Sequence, residues 1–260
     1  MKKSKSIVYN RRKEILQYLK TNKDIKNEEL ANLLNISPLT IRRDLQALEN
    51  EGLVKRYHGG ATPIDNMHYS TNLKNNENKL KQKHAIAKYA ASLINNGDTI
   101  FINTSSTALL ILQYLENKYV VVVTNNSKAL KVTIPPNVDL VLTGGQVYGR
   151  KQSMVGDFAT HIISKISASK CFLGVSGIEV DSGISTSILQ ETLVNKEMIN
   201  HTVGSVYVVT DSSKIGRHFN FSSGDIDKVS NLITDEDITV ENVHKFQNAG
   251  IKVSIVNYNK

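Results

Sequence analysis

Apolar positions change rhythm twice along the 260 residues of this chain. In the first fifty they recur at helical spacing. Ile15, Leu16 and Leu19 share one face over 13–19, and Ile41, Leu45 and Leu48 form a stripe over 38–50. Between them NEELANLL, 27–34, predicts a second short helix with Asn27 as its cap and Asn35 as its exit. Leu53 and Val54 then begin a strand that leads through Lys55, Arg56 and His58 to Gly59–Gly60. Residues 62–74 are polar and rich in asparagine, which predicts a linker. It flows into a helix over about 75–93 with Ala85, Ile86, Tyr89, Ala90 and Leu93 on its apolar side. From Asp98 onward the rhythm is different: short β runs at 99–103, 120–124, 138–145, 171–176, 205–211, 231–235 and 252–257 alternate with helical stretches near 105–117, 126–132, 157–168, 188–202 and 239–249.

Continuous Val/Ile/Leu runs separated by helices predict strands buried on both faces of a largely parallel sheet. The second part is therefore expected to be a Rossmann-like α/β domain over 75–260. The first part, 1–61, has the order helix, helix, strand, basic turn of a winged helix-turn-helix. The expected class is α+β and multidomain. Ser37 can cap the third helix and Pro38 fits its first position, where no N–H is needed. Thr40, Arg42 and Arg43 fall off the buried stripe near the helix N-terminus, where a recognition helix meets base edges and phosphates. Together with Lys55, Arg56 and His58 of the wing, they are the candidate DNA contacts.

Charge sharpens this picture. Lys and Arg number 32 against 24 Asp and Glu, a net of +8. Residues 1–60 carry 13 basic and 7 acidic side chains, so +6 of the excess lies where the DNA motif sits. One cysteine, Cys171, excludes an internal disulfide, fits a reducing compartment, and lies in an apolar run as a core thiol would. No apolar run approaches the ~20 residues of a membrane span, and MKKSKSIVYN lacks the apolar core of a signal peptide. Cytoplasmic residence is the expectation.

Open α/β sheets bind ligands at the carboxyl ends of their strands. Four of the loops there are informative. Ser105, Ser106 and Thr107 follow the first strand at a helix start, where hydroxyls and N–H groups suit either a phosphate or plain capping. Asn125 and Ser127 follow the second strand. Gly144–Gly145 follow the third, with Tyr148, Arg150 and Lys151 beyond. The fourth, Asp211-Ser212-Ser213-Lys214, puts a carboxylate, two hydroxyls and a cation at a strand end, a set that can hold sugar hydroxyls and a phosphate. Convergence of four such loops on one edge favours a ligand site over four ordinary turns.

NEELANLLNISPLTIRRDLQALENEGLVKRYHGGA, with its S-x-x-T-I-R-R-D-L core and H-G-G-A wing, resembles the DNA-binding signature of the DeoR-type bacterial repressors. D-S-S-K at 211–214, G-G at 144–145, G-V-S-G-I at 174–178 and the acidic Glu191 resemble that family's effector domain. The resemblance implies a fold similar to ribose-5-phosphate isomerase, a phosphorylated sugar or sugar alcohol as effector, and operator DNA as partner. It implies a homo-oligomer, dimer or tetramer, and a repressor of a carbohydrate operon released by the effector. Ser176 and Gly177 enter the candidate effector set by this match, and Asp44 is expected to brace Arg42 and Arg43.

Departures bear on the ligand. The family's D-S/A-G-T-T is here Asn103-Thr104-Ser105-Ser106-Thr107, without the acid and the glycine, and Ser176 stands where an aspartate is usual. The competing reading is a sugar-phosphate isomerase with an accessory DNA-binding domain. Aldose–ketose isomerisation needs a positioned acid/base pair. The acidic D-G-A-D loop of the isomerases is here Leu173-Gly174-Val175-Ser176, with no carboxylate. No His/Cys cluster has metal-ligand spacing and no G-x-G-x-x-G follows a strand, so neither metal, dinucleotide nor other cofactor is expected.

Overall fold

The computed structural model describes residues 8, 11–12, 14–19, 22, 24–50, 54–57, 59–63, 69–149 and 151–258. The chain divides into two compact units, 1–76 and 77–260.

In the first unit a helical segment, α1 (14–19), precedes α2 (Asn27–Leu34) and α3 (Pro38–Asn50). Ile15, Leu19, Leu30, Ile41, Leu45 and Leu48 close a small core with Val54 and Ala61. Three short strands, β1 (Ile25–Lys26), β2 (Val54–Tyr57) and β3 (Gly60–Pro63), pair antiparallel in the order β1-β3-β2 and form the wing. The cap of α2 differs from the expected one. Lys26 is the cap residue and donates its N–H to Glu29, while Asn27 is already inside the helix with its side chain buried. Asn35 ends α2 in the left-handed conformation that asparagine tolerates better than most residues. Leu53, expected to begin the strand, lies outside the described residues. Elements enter the stretch assigned to the linker from both ends: β3 runs to Pro63, and helix α4 (Tyr69–Ser92) starts six residues earlier than the expected Asn75.

The second unit carries one seven-stranded sheet. Its strands are β4 (Thr99–Ile102), β5 (Val120–Thr124), β6 (Val138–Leu142), β9 (Ala168–Leu173), β12 (Thr202–Val209), β14 (Asn231–Asp235) and β15 (Lys252–Val256). All neighbouring pairs are parallel, in the order β15-β14-β12-β9-β4-β5-β6. These are the seven β runs of the sequence, in one sheet. Both faces are covered. Ile86, Ala87, Ala90 and Ala91 of α4 pack on one face with Ile111 and Leu112, which follow α5 (Ser106–Leu109). On the other lie α6 (Asp157–Ile163), α7 (Leu189–Asn200) and α8 (Val240–Asn248), through Ala159, Ile163, Val194, Met198 and Phe246. Cys171 is fully buried in that second core, and burial pushes its thiol pKa up, so it stays a packed, protonated thiol.

Two smaller sheets were not expected. One is the hairpin β7 (Gln146–Tyr148) and β8 (Ser153–Val155). The other joins β10 (Gly177–Glu179), β11 (Gly183–Thr186) and β13 (Phe221–Gly224) antiparallel in the order β10-β11-β13. Three- and four-residue strands rich in Gly and Ser have no hydrophobic period to betray them. Among the described residues no helix is long and apolar enough to cross a membrane.

Candidate functional sites

In the first unit, Ser37 Oγ accepts from the Thr40 N–H at 3.3 Å and lies 2.9 Å from Thr40 Oγ1, so the start of α3 is capped as its sequence predicts. Ile41, Asp44, Leu45 and Leu48 face inward, which leaves Arg42 and Arg43 exposed on the outer side of the helix. Asp44 corrects one expectation. It is 2% exposed and accepts from Arg11 Nε at 2.5 Å and Arg12 Nε at 2.9 Å. At its helical position it shares the buried stripe, turned away from Arg42 and Arg43. It therefore ties α3 to the segment before α1 and leaves the two outer arginines uncommitted to it.

The wing is divided. Lys55 is exposed on β2, but Arg56 folds back on α3: its Nη1 donates to Gln46, its N–H donates to Glu49 at 3.0 Å, and the two charges lie 3.8 Å apart. Tyr57 donates its hydroxyl to Asp24, and that bond raises the phenol pKa. His58 lies outside the described residues.

In the second unit the chain adds strands outward from β4 to β6, then returns to the other side of β4 with β9, β12, β14 and β15. The strand order thus reverses between β4 and β9, the place where open α/β sheets leave a crevice. A cleft of about 740 Å³ lies there. Its floor is set by Asn103, at the end of β4. Asn103 Nδ2 donates to the Gly174 carbonyl at 2.9 Å and to Asn195 Oδ1 at 3.1 Å, while Asn103 Oδ1 accepts from the Gly174 N–H at 2.9 Å. Gly174 follows β9, and a Cβ there would lie 1.7 Å from Ser105 Oγ, so only glycine lets the two loops approach. Ser105 caps α5 by accepting from the N–H groups of Thr107 and Ala108.

The walls carry charge. Lys79 and Lys83 of α4, Lys128 after β5, Lys151 of the β7–β8 turn and Lys214 after β12 line the cleft, against the carboxylates Glu191 and Asp211. Lys83 Nζ donates to Ser106 Oγ at 3.2 Å. Glu191, 6% exposed, accepts from Ser153 Oγ at 2.6 Å and from Lys151 Nζ at 2.9 Å. Asp211 caps the turn 212–214 by accepting from the Ser213 N–H and hydroxyl. That turn is held from behind by Asp235, fully buried, which accepts from the Ser212 N–H at 2.8 Å. The next residues dock on β10: Gly216 N–H donates to the Ile178 carbonyl at 3.0 Å, and a Cβ on Gly177 would meet the Arg217 carbonyl at 2.2 Å.

Residues 11–67 match the DeoR-like helix-turn-helix domain, and residues 78–236 match the DeoR C terminal sensor domain. The chain belongs to the DeoR family of transcriptional regulators. It is 31% identical over 250 residues to the HTH-type transcriptional regulator GolR of Listeria innocua, covering 95% of this chain and 98% of that protein. It is 29% identical to a putative aga operon transcriptional repressor of Escherichia coli O157:H7 (95% and 93% covered) and to the lactose phosphotransferase system repressor of Streptococcus mutans (86% and 91%). Among solved structures, ribose 5-phosphate isomerase A of Methanocaldococcus jannaschii matches 51% of this chain and 53% of its own at 19% identity, with a TM-score of 0.37. The relatives are named as regulators, so this DeoR-family chain is a DNA-binding regulator with an effector-sensing domain and not an isomerase.

Of the candidate effector residues, Ser105, Ser106, Thr107, Ser176, Glu191, Asp211, Ser213 and Lys214 line the cleft. Asn125 does not: it is buried, donates to the Met154 carbonyl, and leaves the cleft wall to Asn126. Gly144, Gly145, Gly177 and Ser212 are also outside the lining, and Arg150 lies outside the described residues. Gly145 instead packs its backbone against Val155 of β8. Sequence reasoning missed Lys79, Lys83, Lys128 and Asn195. The two α4 lysines stand one helical turn apart, a spacing indistinguishable from a solvated face until the helix is placed on the sheet.

Proposed function

We propose that this regulator represses a carbohydrate uptake or catabolism operon and leaves its operator when a phosphorylated sugar or sugar alcohol enters the cleft. The observation that carries this reading is the charge balance at the switch point: five lysines face two carboxylates, and both carboxylates are already engaged, one with Lys151 and one with Ser213. Ser105, Ser106, Thr107 and Lys214 are the proposed phosphate partners, and Asp211, Glu191 and Asn195 supply acceptors and donors for sugar hydroxyls. The DNA-binding unit uses Thr40, Arg42, Arg43 and Lys55 on operator DNA. It acts in the cytoplasm as an oligomer that offers two recognition helices to half-sites about 34 Å apart. The relatives named as repressors of the lactose phosphotransferase system and the aga operon support the carbohydrate assignment.

The experiment is a thermal-shift panel of paired compounds, each sugar or polyol with its phosphate ester. A ligand at 100 times its Kd adds about 2.7 kcal/mol to stability. The reading expects at least one phosphate ester to raise the melting temperature of wild type, and to raise that of Lys214→Ala clearly less at the same concentration. Stabilisation by unphosphorylated sugars alone would overturn it.

A further inference from the structure

The helix α7 has two occupied faces and one that no described residue of the second unit covers. Glu191 and Asn195 line the cleft, and Val194, Met198 and Ile199 enter the core. Leu189 and Leu193 lie two residues before Glu191 and Asn195, about 200° around the helix, and are 55% and 65% exposed. The neighbouring helix α6, which packs beside α7 on the same sheet face, repeats the pattern: Ala159 and Ile163 are buried, while Phe158 is 79% exposed and Ile162 is 38% exposed. Both helices follow strands at the carboxyl edge of the sheet, and the four side chains belong to the first two turns of two helices in contact. Val147, on the β7–β8 hairpin that precedes α6, is exposed as well. Asp157, His161 and Lys196 are exposed polar neighbours on the same two helices.

We infer that this α6–α7 face is where a second copy of the chain docks, two-fold, with Phe158 and Leu193 at the centre. Three considerations select that occupant. At roughly 150–200 Å² for a fully exposed large apolar side chain, the five residues offer on the order of 500 Å² per copy. Pairing the face with itself then buries about 1,000 Å² of apolar surface, the level that separates a specific interface from an incidental one, before any rim is counted. An apolar centre bounded by polar residues is the anatomy of a permanent interface. A winged helix-turn-helix that reads two half-sites needs two copies, and a two-fold pairing through one self-complementary patch supplies them.

The placement also gives the switch a physical route. The same helix that presents Leu189 and Leu193 outward holds Glu191 and Asn195 in the cleft. A ligand that competes for Lys151 or Asn195 pulls on the inner face of α7, and the pairing of the outer face moves with it. No relay through the sheet is required.

The test is the mass of the full-length protein in solution, by analytical ultracentrifugation over about 1–50 µM without ligand or DNA. Wild type is expected as an even-numbered assembly. Phe158→Lys with Leu193→Lys should halve its mass, dimer to monomer or tetramer to dimer, with an unchanged far-UV spectrum. The milder pair Phe158→Ser with Leu193→Ser should weaken assembly at least tenfold, which keeps the inference testable if the lysines impair folding. Tyr119→Lys with Val203→Lys, equally exposed apolar sites at the amino edge of the sheet, should leave the mass alone. A monomeric wild type, an unaffected mass in both Phe158/Leu193 pairs, or equal loss in the control pair would overturn the assignment. None of these outcomes depends on which effector or operator the protein recognises.

Discussion

Asn103 and Gly174 exchange two hydrogen bonds of 2.9 Å across the point where the strand order reverses. An amide can do this because it donates and accepts at once; a carboxylate can only accept. The resembled family usually has an aspartate at this position. Asn103→Asp should therefore keep the bond from the Gly174 N–H and set a charged oxygen against the Gly174 carbonyl. Facing an acceptor favours the protonated form, so the new carboxyl's folded pKa should lie above its unfolded value. Its contribution is then full below about pH 4 and lost as pH rises through the folded value. Urea unfolding should show a deficit of about 1–3 kcal/mol at pH 8 that shrinks at pH 5. An equal deficit at both pH values would contradict this account of the floor.

Arg42 and Arg43 stand clear of the core and of Asp44. Replacing either with alanine should weaken operator binding by about 1–3 kcal/mol without lowering the melting temperature. Binding titrations against a selected operator would check it, and wild-type affinity in both variants would mean that α3 is not the reading helix.

The two wing cations should behave differently. Lys55 is exposed, so Lys55→Ala should flatten the slope of log K against log salt by about one. Arg56 is held by Gln46 and Glu49, so Arg56→Ala should act on stability first, by about 0.5–1.5 kcal/mol. A loss of salt slope in Arg56→Ala as large as in Lys55→Ala would show that Arg56 leaves Glu49 for the phosphates.

The amino edge of the sheet has its own pH signature. Burial alone would lift the Asp98 carboxyl, but the Lys170 ammonium, the Asn95 N–H and the Ser169 hydroxyl outweigh it and hold its pKa below the ordinary value. A depressed carboxylate contributes stability above its unfolded pKa, near 4, and loses it as pH falls through the folded value. Asp98→Asn should cost about 1–2 kcal/mol at pH 7, with the gap to wild type already narrowing as pH falls below about 4. A gap constant from pH 7 to 3 would contradict the pairing.

The strands of the sheet were legible because each holds two to four Val, Ile, Leu or Phe side chains between polar loops, and in the five inner strands most of these are buried, on both faces of the sheet. Ser37 and Pro38 fixed the start of α3 to the residue. What stayed hidden depends on tertiary placement. Lys79 and Lys83 read as solvated charges until α4 lies against the sheet. Asn125 and Asn126 are chemically identical, and only the strand's alternation decides which faces the cleft. Asp44 was assigned to the nearest arginines in sequence, whereas its true partners, Arg11 and Arg12, are more than thirty residues away.

The central claim is that a phosphate ester bound in the cleft lowers affinity for DNA. The direct measurement is fluorescence anisotropy of a labelled operator duplex, selected from random sequence with the full-length protein, titrated with a compound chosen by thermal shift. The phosphate ester should release wild type from the duplex, and its unphosphorylated parent should not. Lys214→Ala should bind the duplex as wild type does and need about 10–100 times more ester for release, the equivalent of one charge-assisted bond. Release by the parent sugar as readily as by its ester, with Lys214→Ala responding like wild type, would contradict the account.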